Sequence, residues 1–212
     1  MSTLKEITTG VPQGSILGPL LFIIYMNDIS QVTEKFHFTL YADDTSLIEP
    51  LCTYTVDLKN NKLLSDAINL ELRYIFEWLS LNKLSLNVKK TKMMVFHNRQ
   101  RNIEDIIPKL EINGIPIERV KQFNFLGIIL DEHMTWNKHI SKVACKISRT
   151  IFTLTKLKRF LPQSILKTLY NSLILPHLTY GILTWGSNPG RLNKLQKWAI
   201  RTINNSRYRT AI

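Results

Sequence analysis

The sequence predicts an α+β protein in which helices and small β-strands at the front are followed by an entirely helical rear. Three patterns carry this prediction. Residues 36–42 alternate apolar and polar side chains, as a half-buried strand does. Residues 61–79 place apolar side chains at helical spacing, and from Asn137 onward every segment has helical periodicity. The change from mixed to helical structure is expected near residues 131–137.

Composition excludes several classes of protein. The chain has 212 residues, 44% apolar and 21% charged, which is globular composition and excludes general disorder. The longest apolar stretch, residues 16–26, contains Gly18 and Pro19 and is too short for a membrane span. No secretion leader begins the chain, and Cys52 and Cys145 form no disulfide or metal pattern. We therefore expect a reduced intracellular protein with no membrane partner, in the nucleus or the cytoplasm.

Charge is distributed unevenly along the chain. The net charge is +12, but residues 1–80 carry −5 and residues 81–212 carry +17. After Glu132 there are 14 basic residues and no acidic one. Such a half is expected to bind a polyanion, nucleic acid before an acidic membrane. The alternative is a solvated basic surface.

The first element is a helix over residues 16–26, preceded by a turn-rich loop at residues 9–15. Because this helix is apolar nearly all round, the sequence predicts that it is buried. Ser15 is its candidate N-cap. Pro19 falls near the first turn, where the missing N–H costs least.

The second element is a β-hairpin. The alternating strand at residues 36–42 is interrupted by Asp43 and Asp44, and an extended pattern resumes at residues 45–48. The sequence therefore predicts a hairpin with two acids at or beside its tip.

Further elements follow in order. The helix at residues 61–79 precedes a lysine-rich turn and a strand at residues 93–96. Short extended pieces follow, with a hairpin turn at Asn113 and Gly114 and an extended stretch at residues 123–130. The apolar stripe of the helix at 61–79 comprises Leu64, Ala67, Ile68, Leu72, Ile75, Phe76 and Leu79.

The rear contains three predicted helices, at residues 138–158, 163–175 (ended by Pro176) and 191–203. The first has an apolar stripe and an opposite basic stripe. The apolar stripe comprises Ile140, Val143, Ala144, Ile147, Ile151 and Leu154, and the basic stripe comprises Lys138, Lys142, Lys146, Arg149 and Lys156.

The adjacent acids Asp43 and Asp44 are the sharpest chemical feature. Neighbouring carboxylates repel unless a cation lies near them. Their oxygens suit Mg²⁺, and two such ions can stabilise an in-line phosphoryl displacement. The alternative is an acidic turn, since Asp is common in turns.

Two other segments and the histidines are less specific. The glycines of residues 10–15 permit close approach of a backbone or base, and Gln13 can hydrogen-bond a base edge or sugar, although a plain loop is equally consistent. The lysines at residues 89–92 can neutralise pyrophosphate or form a solvated turn. No metal spacing occurs among His37, His97, His133, His139 and His177, and no metal is assigned to them.

Taken together, these segments resemble the ordered motifs of reverse transcriptases of non-LTR, jockey-type retrotransposons. Residues 10–22 resemble the B motif, residues 40–45 the Tyr-x-Asp-Asp hairpin of the C motif, residues 86–96 the D motif and residues 125–130 the E motif or primer grip. Two helical segments, residues 175–181 and 195–201, resemble the thumb and the region after it. The resemblance implies a truncated right-hand palm at residues 1–120, a primer grip at 121–136 and a basic helical thumb at 137–212.

The resemblance also implies roles for individual residues. Asp43 and Asp44 would bind two catalytic Mg²⁺ ions, and Lys90 would assist pyrophosphate departure. The site for the nucleotide and template would be lined by Gln13, Gly14, Ser15 and Tyr41. The primer end would be supported by Phe125, Leu126 and Gly127. The backbone of the duplex would be contacted by Lys138, Lys142, Lys146, Arg149 and Lys156. The implied partners are an RNA template, a DNA primer and dNTPs.

One departure from the family pattern limits the activity expected. The family requires a further aspartate upstream of the B motif, and Glu6 is the single acid among residues 1–9. We expect the A motif and the fingers on the intact polyprotein and no polymerisation by this chain alone. Two alternatives stay open: a non-catalytic nucleic-acid-binding remnant, and a palm from a group II intron maturase or viral RNA-dependent RNA polymerase. The sequence Tyr-Ala-Asp-Asp in the C motif favours the retroelement.

Overall fold

The structure, a computed structural model, describes residues 11, 14–50, 61–104, 107–187 and 190–204. The chain divides into two compact units. The first takes its residues from Met1–Met93 and Asn102–Arg119, and the second from Met94–Arg101 and Val120–Ile212. No helix within the described ranges has the length and apolarity needed to cross a membrane.

Where the structure describes it, the first unit combines two helices with small two-stranded sheets. Helix α1 and a 3₁₀ turn precede an antiparallel hairpin, β1–β2, which is followed by the long helix α2. Strands β3 and β6 pair in parallel, and β4 and β5 form a second hairpin. The bounds are α1 Leu17–Met26, 3₁₀ Asn27–Gln31, β1 His37–Tyr41, β2 Asp44–Ile48, α2 Asn61–Leu81, β3 Lys92–Met93, β4 Glu111–Ile112, β5 Ile115–Pro116 and β6 Glu118–Arg119.

Helix α2 forms the centre of this unit's core, as its periodicity predicts. Leu64, Ile68, Leu72, Ile75 and Leu79 are all buried along one face. They pack in one cluster with residues from α1, β1 and β4. The predicted helix at residues 61–79 is therefore confirmed, together with its apolar stripe.

One turn prediction and one strand prediction in this unit have different outcomes. Asn113 and Gly114 have φ of 50° and 73° and join β4 to β5, so the predicted hairpin is confirmed. The strand predicted at residues 93–96 is wrong in extent, because β3 comprises only Lys92 and Met93. Its partner β6 comprises only Glu118 and Arg119, so the ladder between them is two residues long.

The burial predicted for α1 is wrong. Met26 is the one buried residue of this helix, and Phe22, one turn earlier, is partly buried against the α2 core. Other apolar side chains are exposed, including Ile23 at 65% and Ile24 at 63%. The described elements of the unit pack only against the side of α1 that carries Phe22 and Met26. The apolar side chains on the other sides of α1 are therefore left exposed.

The start of α1 also differs in detail from the prediction. The N-cap position is Ile16, which makes no side-chain capping bond. Ser15 lies one residue earlier, and its hydroxyl oxygen accepts a hydrogen bond from the Leu17 amide at 3.2 Å. Pro19 lies in the first turn as predicted.

Glu71 is a buried acid on α2. Its carboxylate accepts a hydrogen bond from the Thr33 hydroxyl at 2.5 Å and pairs with Lys35 Nζ at 2.6 Å. Burial acts to raise the pKa of Glu71, but the Lys35 and Thr33 contacts outweigh it and lower the pKa below its ordinary value. Ionised Glu71 therefore ties α2 to the segment before β1.

The described residues of the second unit form a hairpin and five helices. Strands β7 and β8 pair antiparallel, and the long helix α3 follows them. The bounds are β7 Gln122–Phe125, β8 Ile128–Asp131, α3 Asn137–Leu157, α4 Gln163–Leu173, α5 Leu175–Thr179, α6 Ile182–Trp185 and α7 Gly190–Asn204.

The core of this unit lies between α3, α4 and α7. Ile147, Ile151, Leu154, Trp185 and Leu192 are almost fully buried in one cluster. The predicted helices at 138–158 and 191–203 are therefore confirmed within a residue or two at each end.

The predicted helix at 163–175 is confirmed as α4, which ends two residues early, and a second short helix, α5, follows it. Helix α4 ends at Leu173, and Pro176 lies in the first turn of α5 rather than after the end of a helix. A first-turn position is where proline is compatible with helical structure, because that amide has no intrahelical acceptor.

Candidate functional site

The acids Asp43 and Asp44 lie at the tip of the β1–β2 hairpin. Tyr41 pairs with Asp44, which leaves Ala42 and Asp43 as the two turn residues. Ala42 has φ of 51°, a left-handed conformation that residues with a Cβ adopt at a cost. The predicted hairpin with two acids at its tip is confirmed.

The environment of these two acids is open. Asp43, Asp44 and the neighbouring Tyr41 are all exposed, Tyr41 at 63%. Neither carboxylate has a hydrogen bond or ion pair with any residue that the structure describes, Lys90 included. Two adjacent negative charges are therefore presented to solvent on a paired scaffold.

The loop before α1 is described only in part. Gln13 lies outside the described residues. Gly14 has φ of 88°, which favours glycine, and nothing lies within 4 Å of the position a Cβ would take. Gly14 is exposed and Ser15 is half-buried before the N-terminus of α1, and the Ser15 hydroxyl oxygen accepts the Leu17 amide.

Lys90 lies in a turn that Asn87 organises. The Lys90 amide donates to the Asn87 backbone carbonyl at 3.0 Å and to its side-chain oxygen at 3.2 Å. The Thr91 amide also donates to the Asn87 carbonyl, at 3.2 Å. These bonds hold the turn while the Lys90 side chain stays exposed. Lys92, two residues on, pairs with Glu118 at 2.5 Å.

The β7–β8 hairpin has a two-residue turn of Leu126 and Gly127, with φ of 46° and 84°. Phe125 pairs with Ile128 at the base of this turn. The Tyr180 hydroxyl donates a hydrogen bond to the Leu126 carbonyl at 2.6 Å. Phe125 and Leu126 are half-buried, whereas Gly127 is exposed.

Tyr180 connects this turn to the helices of the same unit. Its ring lies 3.6 Å from the position of a Cβ at Gly127. Its own carbonyl accepts a hydrogen bond from Trp185 Nε1 at 2.9 Å, and Trp185 is buried in the core. Sequence reasoning missed this link, because Tyr180 and Leu126 are separated by 54 residues and no local pattern joins them.

Asp131 closes the turn between β8 and α3. Its carboxylate accepts hydrogen bonds from the His133, Thr135 and Trp136 amides at 3.1–3.2 Å and from the Thr135 hydroxyl at 3.0 Å. Burial acts to raise the pKa of Asp131, but these bonds outweigh it and lower the pKa below its ordinary value. The hairpin end and the start of α3 are therefore fixed to one ionised side chain.

His139 is buried where α3 meets β8. Its Nδ1 accepts a hydrogen bond from the Ile129 amide at 3.3 Å, and its ring lies 5.4 Å from the Trp185 ring. Burial first, and then the charge of Lys142, lower the pKa of His139. The neutral imidazole is a structural contact of the hairpin.

The basic residues of α3 form one exposed stripe. At 100° per residue, Lys138, Lys142, Lys146, Arg149 and Lys156 lie on one side of the helix, and all five are exposed. The opposite side carries the buried residues Val143, Ala144, Ile147, Ile151 and Leu154. The predicted division of α3 into apolar and basic faces is confirmed. Lys156 also lies over the Phe152 ring, 4.5 Å from its centroid.

Comparison with known proteins gives this architecture a family. Residues 2–130 match the family described as reverse transcriptase (RNA-dependent DNA polymerase), a span that contains the β1–β2 hairpin and all of the β7–β8 hairpin except its last residue, Asp131. The chain belongs to the reverse transcriptase family. No solved structure matches the chain significantly.

Curated relatives extend the likeness past the family match. The chain is 26% identical over 215 residues to the probable RNA-directed DNA polymerase from transposon X-element of Drosophila melanogaster, covering 96% of the chain and 22% of the relative. It is 26% identical over 216 residues to the RNA-directed DNA polymerase from mobile element jockey of the same species, covering 95% of the chain and 22% of that protein. The jockey polymerase of Drosophila funebris is 28% identical over 207 residues, covering 92% and 21%. The chain therefore spans about a fifth of the length of these relatives.

Proposed function

We propose that this chain is part of the RNA-directed DNA polymerase of a non-LTR, jockey-type retrotransposon. The reaction is template-directed addition of a deoxynucleotide to a primer 3′ end. In this proposal residues 1–120 are palm, residues 121–136 the primer grip and residues 137–212 a helical thumb. The observation that carries it is the β1–β2 hairpin, which presents Asp43 and Asp44 inside the reverse transcriptase match.

The donor chemistry of the hairpin tip fits divalent metal, which reverse transcriptases generally use. Asp43 and Asp44 offer hard carboxylate oxygens, are exposed, and have no competing partner among the described residues. Mg²⁺ takes few protein ligands and completes its shell with water and substrate phosphates. When bound, Mg²⁺ supplies charge stabilisation to phosphoryl transfer. The hairpin's own contribution is to hold the two carboxylates on adjacent residues, Asp43 in the turn and Asp44 at the start of β2.

Other residues would position the substrates. Tyr41 pairs with Asp44 on the hairpin and presents an exposed ring beside it, suited to contact with an incoming nucleotide. Gly14 and Ser15, with Gln13 before them, would line the template and nucleotide. Lys90 would donate a proton to, or neutralise, the departing pyrophosphate, since the Asn87 turn leaves its ammonium group exposed.

The β7–β8 turn would support the primer end. Phe125, Leu126 and Gly127 lie in or beside that turn, and Gly127 is exposed with no side chain to block a close approach. Tyr180 and Asp131 hold the two ends of the hairpin through hydrogen bonds. A primer that contacts this turn would thus contact a backbone held in place by these hydrogen bonds.

Binding of Mn²⁺ in place of Mg²⁺ tests the proposed metal ligands. Electron paramagnetic resonance would follow free Mn²⁺ with the full chain and an RNA template annealed to a DNA primer. We expect the variant carrying both Asp43→Asn and Asp44→Asn to bind Mn²⁺ at least about tenfold more weakly than wild type, because it removes both charged ligands. The matched control is Asp66→Asn, which neutralises an exposed acid on α2. Equal Mn²⁺ affinity in all three proteins would contradict the proposal.

A second candidate function is nucleic-acid binding without catalysis, favoured by the exposed basic stripe of α3. Five phosphate contacts would give a slope of log affinity against log salt of about −4 to −5 on duplex DNA. In this case Lys142→Gln with Lys146→Gln reduces the slope by about 2, measured by fluorescence anisotropy with a labelled duplex. Lys62→Gln with Lys109→Gln is the charge-matched control. Duplex binding that survives loss of both acids at the hairpin tip favours this function over polymerisation.

A further inference from the structure

Three side chains of the second unit converge at the end of β8. His97 Nε2 lies 3.6 Å from one Glu132 carboxylate oxygen, and His133 Nε2 lies 3.9 Å from the other. The two imidazole rings meet edge to face, 4.6 Å between centroids. Within the described ranges, this is the one group of three whose ligand atoms all lie within 4.8 Å of one another.

The hydrogen bonds of the two rings set which nitrogen carries the proton. His97 Nδ1 lies 3.0 Å from the Asn98 carbonyl, and His133 Nδ1 lies 3.1 Å from the His97 carbonyl. A carbonyl oxygen only accepts, so each Nδ1 is the donor. In the neutral rings the lone pair is therefore on Nε2, and both Nε2 atoms face Glu132. A carbonyl that orients the distal nitrogen is the usual outer-shell partner of a metal-binding histidine.

The separations suit a shared cation better than direct bonds. Nε2 to oxygen distances of 3.6 and 3.9 Å exceed the range of a hydrogen bond. Tetrahedral Zn²⁺ with ligands at about 2.0–2.2 Å places neighbouring donors about 3.3–3.6 Å apart. Small side-chain shifts close the remaining difference. All three side chains are largely buried, His97 and Glu132 each at 13% exposure and His133 at 25%, which leaves an edge open for a water ligand.

The backbone around the cluster is already fixed. The His97 amide donates to the Glu132 carbonyl at 3.0 Å, and the Glu132 amide donates to the Lys121 carbonyl at 3.2 Å. Asp131 is not a ligand, because its carboxylate accepts the bonds that close the turn before α3. The cluster therefore joins the segment Met94–Arg101 to the end of the β7–β8 hairpin.

We propose that His97, Glu132 and His133 bind a Zn²⁺ ion that clamps the segment Met94–Arg101 to the β7–β8 hairpin. Two imidazoles and one carboxylate suit Zn²⁺ rather than Mg²⁺, which prefers all-oxygen ligands. The site lies in a different unit from Asp43 and Asp44 and is independent of the proposed polymerase function. Sequence spacing missed it, since His97 and His133 are 36 residues apart.

Zn²⁺ binding by the full chain tests the site. Isothermal titration with Zn²⁺ would be run in excess Mg²⁺, which competes for carboxylate-only sites. We expect wild type to bind one equivalent, and the variants His97→Gln and His133→Gln to bind at least about tenfold more weakly. The matched control is His37→Gln, which removes an exposed imidazole from β1 in the other unit and should bind like wild type.

Thermal unfolding provides the second measurement. The melting temperature of wild type and of His37→Gln should rise with Zn²⁺ concentration, because the ion binds the folded state. The melting temperature of His97→Gln and His133→Gln should stay constant, while a circular dichroism spectrum like that of wild type shows that they fold. Absence of Zn²⁺ binding by wild type, or equal binding by all four proteins, would overturn the proposal.

Discussion

Replacement of Asp131 by Asn tests whether one carboxylate fixes the junction between β8 and α3. Asp131 is 9% exposed and accepts bonds from three backbone amides and one hydroxyl. Asn keeps one acceptor oxygen and turns an NH₂ group toward the remaining donors. Whichever way the amide faces, one backbone N–H loses its acceptor, that of His133 or that of Trp136, while the Thr135 amide keeps the remaining oxygen. Such a loss costs about 1–3 kcal/mol, so Asp131→Asn should lower the free energy of unfolding by about 1–3 kcal/mol.

Urea unfolding followed by circular dichroism and by tryptophan fluorescence measures this change. The expected loss corresponds to a fall in melting temperature of roughly 2–12 °C for a chain of this size. Thr135→Val removes only the hydroxyl bond and should cost about 1 kcal/mol. Asp66→Asn, at an exposed position of α2, controls for the change of charge. An Asp131→Asn protein within about 0.5 kcal/mol of wild type would refute the reasoning.

Three further predictions concern polar contacts inside each unit. Glu71→Gln should lower the free energy of unfolding by about 1–3 kcal/mol at neutral pH. Because the pKa of Glu71 is lowered in the folded state, this stabilisation is present above about pH 4.3 and is lost as the pH falls through the folded-state pKa. Urea titrations at several pH values would show the loss. The lowered pKa of His139 means that the unfolded chain protonates first, so stability should fall below about pH 6.5 by at most about 1.4 kcal/mol per pH unit, and a His139→Gln protein should lack this dependence. Tyr180→Phe should cost about 0.5–1.5 kcal/mol and speed amide exchange at Gly127, whereas unchanged exchange would show that the Tyr180 hydroxyl does not hold the turn.

Local sequence patterns predict the helices and turns of this protein better than they predict what packs against them. The stripe of α2, the two faces of α3 and the turn at Asn113 and Gly114 each arise from residues a few positions apart, where periodicity and turn chemistry are decisive. The exposure of α1 was missed because burial depends on what packs against a helix, and its own composition carries no such information.

The candidate sites divide in the same way. Asp43 and Asp44 are adjacent in the chain, so an alternating strand was enough to place them at a hairpin tip. The hydrogen bond from Tyr180 to Leu126 joins residues that are 54 positions apart. The cluster around Glu132 brings together His97 and His133, which are 36 positions apart. Pairing over such distances is set by packing of whole elements, which a single sequence does not reveal.

The turns of the three hairpins that the structure describes differ at their second position. In all three, the first turn residue carries a Cβ and has a positive φ, 51° at Ala42, 50° at Asn113 and 46° at Leu126. A left-handed conformation costs about 1–2 kcal/mol for a residue such as Ala or Leu, so this strain does not single out the tip of β1–β2. The second turn residue is a glycine at positive φ in the other two hairpins, Gly114 and Gly127, whereas it is Asp43 in β1–β2. The turn position that glycine occupies elsewhere therefore carries one of the two exposed carboxylates in β1–β2.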